Sequence, residues 1–116
     1  MFPREKPATQ RPLTSAERKK LRGLSHELHA LVQVGKAGLS PAVLRQLDQV
    51  LADHELVKVR FLEGPDKTTK NALCAAIADE TGAELAGLVG HVAIFFRQQE
   101  DPEKRRVEMP ELYAVR

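Results

Sequence analysis

The sequence predicts an α+β domain, a two-layer α/β sandwich in the order α-β-α-β-α-β-β, with a small four-stranded mixed sheet and its helices packed on one face. Three observations predict it. Stretches with leucines at helical spacing alternate with short β-branched runs, Gly, Pro and Asp punctuate the boundaries between them, and two apolar runs near the end flank Gly90-His91 as a hairpin.

The elements follow in order. Residues 1–12 carry three prolines and little that is apolar, and read as a flexible arm. Thr14 and Glu17 have capping-box spacing, so a helix starts there, with Leu21, Leu24 and Leu28 as its buried stripe and Arg18, Arg22, His26 and His29 on its flank. Leu31 to Val34 is a strand ending in the turn Gly35-Lys36-Ala37-Gly38. Ser40-Pro41 then caps and opens a second helix, which presents Val43, Leu44, Leu47, Val50 and Leu51. In the strand Leu56–Leu62, Val57, Val59 and Phe61 alternate with Lys58 and Arg60, so one face packs and the other is wet. Asp66 caps a third helix that packs through Leu73, Ala76 and Ile77 and stops at Gly82. Strands at 84–89 and 92–97 follow, the first weakened by Gly87. The domain therefore spans 13–97, and 98–116 reads as a charged tail that Val107, Met109, Leu112 and Tyr113 could dock in part.

Composition narrows the function. One Tyr, four Phe and no Trp leave the core to aliphatic residues. No run of apolar residues approaches a membrane span, none in the first dozen residues suits a signal peptide, and a single cysteine, Cys74, forms no internal disulfide. These features point to the cytoplasm and away from a membrane. The net charge of +2 is unevenly divided: residues 1–36 hold eight Lys/Arg against three Asp/Glu, and the rest hold ten against thirteen. Such asymmetry suits a basic surface offered to a polyanion, or simply a soluble basic arm.

No enzymatic constellation emerges. His26 and His29 lack a third ligand at a diagnostic distance, so no metal site is expected. His54-Glu55 at a helix-to-strand corner suits capping or hydrogen bonding. Cys74 among alanines has nothing to activate it, and the adjacent Asp79 and Glu80 point apart on a helix. A nucleotide-hydrolysing loop would need a glycine where Ala30 stands and Ser or Thr where Ala37 stands. No cofactor or small-molecule substrate is implied.

What remains is Gly35-Lys36-Ala37-Gly38. Two glycines let the backbone turn sharply and approach a ligand closely, a helix N-terminus follows, and Lys36 adds a cation. KH domains clamp single-stranded nucleic acid with a loop of this G-x-x-G form, although an ordinary tight turn uses the same residues. Arg18, Lys19 and Arg22, with Lys36, Lys67 and Lys70, could extend the loop into one basic track, and Lys58 and Arg60 would decorate the open sheet face. Each could equally be a solvated surface charge.

Three segments decide between these readings: Gly23-Leu24-Ser25-His26-Glu27-Leu28, Val32 through Ser40, and His54 through Arg60. Together they resemble the CRM domain in its bacterial stand-alone, YhbY-like form. Thr81-Gly82-Ala83-Glu84-Leu85 and Val89-Gly90-His91-Val92 are similar to the final hairpin of that family. The resemblance implies a fold like the C-terminal domain of a bacterial initiation factor. Apart from it, the sequence carries no sign of an obligate oligomer, so a monomer is expected. The resemblance also implies binding of ribosomal RNA in pre-50S particles through Gly35, Lys36, Ala37 and Gly38. Family members often end the last strand in Tyr-Arg, where this chain has Phe96-Arg97 and so lacks a hydroxyl, and Ala86-Gly87-Leu88 also departs from the usual pattern. An alternative of another class is a protein-interaction module that docks on an assembly factor or ribosomal protein, with G-x-x-G only a turn.

Overall fold

The computed structural model describes residues 12–107. The arm, apart from Pro12, and Met109, Leu112 and Tyr113 lie outside these residues. Within them the chain forms α1 (Ser15–Ser25), β1 (Ala30–Val34), α2 (Pro41–His54), β2 (Leu56–Phe61), α3 (Lys67–Thr81), β3 (Glu84–Val89) and β4 (Val92–Phe96), followed by a 3-10 turn at Pro102–Lys104. The expected α+β class, element order and mixed four-stranded sheet are all present.

Local chemistry fixes the helix ends. The Thr14 hydroxyl accepts from Glu17 N–H at 3.1 Å while the Glu17 carboxylate accepts from Thr14 N–H at 2.9 Å, closing the capping box. Ser40 and Asp66 cap α2 and α3, and Gly82 ends α3 at φ 73°, a left-handed conformation that costs glycine little.

The sheet order is β1-β2-β4-β3, with β1 and β2 parallel and the other pairs antiparallel. One face carries the larger core: Val32, Val34, Val57, Val59, Phe61, Ala93 and Phe95 pack against Leu44, Leu47 and Leu51 of α2 and Cys74 and Ile77 of α3.

The expectation that the helices share one face is corrected by α1, which lies on the opposite face. There Leu13 and Leu21 join Leu56, Ala86, Ile94 and Phe96 in a second apolar cluster. The reason is visible in β4: Val92-Ala93-Ile94-Phe95-Phe96 is apolar without alternation, and such a strand needs cover on both sides. The buried stripe on α1 is also narrower than its spacing suggested. Leu21 is fully buried, but Leu24 is 42% exposed, and Leu28, 39% exposed, lies beyond the end of the helix.

The chain after β4 runs back over the end of α2. Glu55, fully buried at φ 63°, accepts through its carboxylate from the N–H groups of Gln99 (2.7 Å), Arg106 (2.6 Å) and Val107 (2.9 Å). Val107 is thereby seated in the α1-side cluster. Arg97 is buried as well, pairing with the Asp48 carboxylate at 2.7 Å and donating to the carbonyls of Thr81 and Asp48. Phe96 beside it is fully buried and fills the apolar cluster with its ring.

Candidate nucleic-acid interface

Strand register gathers three connections at one end of the sheet. Val34 pairs with Phe61, Arg60 pairs with Val92, and Phe61 N–H donates to the His91 carbonyl at 2.8 Å. The Gly35–Gly38 loop, the segment 62–66 and the Gly90-His91 turn therefore share that end, together with the first turns of α2 and α3.

The loop is a tight turn. Gly38 N–H donates to the Gly35 carbonyl at 2.9 Å, and Gly38 sits at φ 71°, which an L side chain resists. Gly35 differs: it is exposed, its φ is not positive, and a Cβ placed on it would meet nothing within 4 Å. Lys36 and Ala37 are also exposed.

The two helix starts at this end are not equivalent. The α3 N-terminus is occupied by its own carboxylate, because Asp66 accepts from Thr69 N–H at 2.8 Å. The Thr69 backbone and hydroxyl, with Lys70 contributing less, hold the Asp66 carboxyl below the usual carboxylate range. By contrast α2 is capped by the neutral Ser40, has proline at its start and carries no acidic residue in its first turn. The positive end of the α2 dipole, directly after the loop, is the one left for an outside anion.

The predicted basic residues divide into three places. Lys36, Lys67 and Lys70 stand at the loop end, where Lys70 Nζ donates to the Gly90 carbonyl at 2.7 Å. Arg22, Lys58 and Arg60 belong to the α1-side face. Arg22 donates to the Ala86 carbonyl at 2.9 Å, Lys58 donates to the Leu28 carbonyl at 3.1 Å, and Arg60 is exposed beside its β1 partner Gln33. Arg18 sits at the start of α1 and donates to Leu13, whose own N–H binds Glu84 at the head of β3, so Arg18 lies at the far end of the sheet from the loop. Lys19 is exposed on α1.

Two structural devices carried a weaker sequence signal. A β-bulge between Leu85 and Gly87 and the missing side chain of Gly87 make the room in which Arg22 lies, and a glycine inside a strand was the signal for it. The hydrogen-bonding role expected at His54-Glu55 is filled by Glu55, but its partners lie 44 to 52 residues away in the chain and no local pattern names them.

Among the described residues no group of three or more His, Cys, Asp or Glu could hold a metal ion, and no helix is long and apolar enough to cross a membrane. Burial raises the Cys74 thiol to about 11, which leaves it protonated at neutral pH.

Residues 13–97 match the family model of the CRS1 / YhbY (CRM) domain. The chain belongs to this family. A protein of Haemophilus influenzae named "RNA-binding protein" is 33% identical over 98 residues, covering 84% of this chain and 95% of the relative. "Probable RNA-binding protein YqeI" of Bacillus subtilis is 28% identical, covering 84% of this chain and 99% of that one. The solution structure of the hypothetical protein SAV1595 from Staphylococcus aureus superposes with a TM-score of 0.70 at 26% identity, over 82% of this chain and 98% of that one. The four-stranded CRM-domain sheet with its G-x-x-G turn is thus the frame in which the basic residues are set.

Proposed function

We propose that this CRM-domain protein binds RNA without catalysing a reaction, gripping backbone phosphates with Gly35-Lys36-Ala37-Gly38, and that it acts in assembly of the large ribosomal subunit. The observation that carries the reading is Gly35. Nothing in the fold demands a glycine there, neither backbone angle nor neighbouring atoms. A bare backbone at an exposed loop entry does suit the close approach of another chain's phosphates. Lys36 beside it and the N-terminus of α2 behind it, capped by the neutral Ser40, supply positive charge at the same point. Relatives named for RNA binding support RNA as the polyanion. Ribosomal RNA in pre-50S particles and a cytoplasmic location are finer terms of the proposal, taken from the family resemblance and the composition. A monomeric state is a further term that rests on a sequence with no sign of an obligate oligomer.

The test is binding of structured ribosomal RNA by Lys36→Glu protein whose folding is verified by circular dichroism. The expected result is a clear loss of affinity, and wild-type affinity in the folded variant would remove the loop from the interface.

A second reading draws on the exposure of Leu24 and Leu28, which border a groove with Leu56 and Val107. In it the protein docks on an assembly factor or ribosomal protein. Purified protein that bound no RNA at low salt, yet co-sedimented with ribosomal particles through a protein, would favour that reading over ours.

A further inference from the structure

On the α1 side of the sheet, Arg22, Ser25, His26 and Lys58 surround Val89, Val92 and Ile94 in an open groove of about 330 Å³. We infer that this groove receives an unpaired base of the RNA strand held at the loop, so that the protein selects RNA with single-stranded nucleotides. The inference rests on the RNA-binding reading above and adds a subsite to it.

The lining has the chemistry of a nucleotide. Its floor is aliphatic, and Val89 is 64% exposed, the most exposed large apolar side chain among the described residues. Its rim holds Arg22, His26 and Lys58 and no carboxylate, which matches a polyanion. A base presents a flat apolar face only when it is out of a duplex, and such bases are held by stacking on imidazole rings or guanidinium planes. His26 and Arg22 supply one of each.

The groove is also prepared in advance. Arg22 reaches over Gly87 and is tied to the Ala86 carbonyl through Nη1, one of its five N–H donors. Lys58 is tied to the Leu28 carbonyl through an ammonium that has three. Both are positioned with donors to spare.

Position links the groove to the loop. Lys58 and Arg60 are successive residues on the same face of β2, about 7 Å apart along the strand. Arg60 pairs with Gln33, and the Gly35–Gly38 loop begins two residues beyond Gln33. A single strand leaving the loop can therefore pass Arg60 and reach the groove within a few nucleotides.

The experiment compares two probes: a short fluorescein-labelled RNA strand of mixed sequence, and a strand of the same length built of abasic riboses, which keeps the phosphates and lacks the bases. Fluorescence anisotropy gives the affinity for each. Wild-type protein is expected to hold the base-bearing strand more tightly by about fivefold or more, in line with the free energy of stacking one base. Val89→Asn, which makes the most exposed part of the apolar floor polar without changing charge, and Arg22→Lys, which keeps charge without the guanidinium plane, are each expected to reduce that ratio severalfold. If the ratio stays at its wild-type value in both variants, the groove takes no base and the inference is overturned while the loop reading stands. If wild-type protein binds structured ribosomal RNA at low salt but neither short strand, the groove inference falls and the RNA-binding reading stands; if it binds none of the three, both fall.

Discussion

Gly87 is the residue that lets Arg22 lie against the sheet. A Cβ at position 87 would collide with Arg22 Cδ and stand 2.9 Å from its Cγ, closer than carbon atoms pack. Arg22 in turn reaches the Ala86 carbonyl at 2.9 Å, on the bulge that Gly87 completes. The pair welds α1 to β3 through a charged residue whose apolar stem covers the strand.

From this pairing, Gly87→Ala is expected to displace Arg22 and destabilise the domain by about 1–2 kcal/mol, combining overpacking with a strained hydrogen bond. Gly23→Ala, in the same helix where a Cβ meets nothing, should instead stabilise by about 0.5–1 kcal/mol. Urea unfolding midpoints of the two variants check both signs.

The loop glycines should separate in the same assay. Gly38→Ala forces a side chain into φ 71° and is expected to cost about 1 kcal/mol or more. Gly35→Ala should leave the unfolding midpoint nearly unchanged, because neither angle nor space opposes it. A substantial loss of stability in Gly35→Ala would show that this glycine serves the fold.

Glu55 anchors the segment after β4 through three backbone N–H groups. Glu55→Ala strands them in a buried place and is expected to cost about 3 kcal/mol, while Glu55→Gln, which retains one acceptor oxygen, should cost less. Hydrogen exchange at Gln99, Arg106 and Val107 should rise in both variants before that of the central strands does.

Most of the fold was legible because its signals are local. Thr14-x-x-Glu17, Ser40-Pro41, Asp66 and Gly82 each mark a helix end by chemistry confined to a few residues. The side of the sheet on which α1 packs was not read from its leucines, since Leu21 alone is buried and the deciding signal is the unbroken apolar run of β4. At the candidate site the Gly-Lys-Ala-Gly turn was readable as a motif. The grouping of Arg22 with Lys58, and the removal of Arg18 to the other end of the sheet, depend on pairing between residues distant in the chain. Glu55 was legible as a hydrogen-bonding corner, while its partners were not.

Cys74 gives a pH prediction. Its thiol ordinarily titrates at 9.0, and burial raises it to about 11 in the fold. Below pH ~9 the group is neutral in both states and contributes no pH dependence. Between about 9 and 11 the unfolded chain releases the proton while the folded one keeps it, so stability falls as pH rises. Cys74→Ala should show a shallower alkaline loss than wild type in paired denaturation curves. Native protein at neutral pH should also resist alkylation by iodoacetamide until it is unfolded.

The most direct measurement is the salt dependence of RNA binding by wild-type and Lys36→Gln protein. If the loop grips phosphates, log affinity falls linearly with log salt, and removing the Lys36 charge lowers the magnitude of that slope by about one while weakening binding to different RNA sequences alike. An unchanged slope and unchanged affinity in folded Lys36→Gln protein would contradict the loop's role as a phosphate clamp.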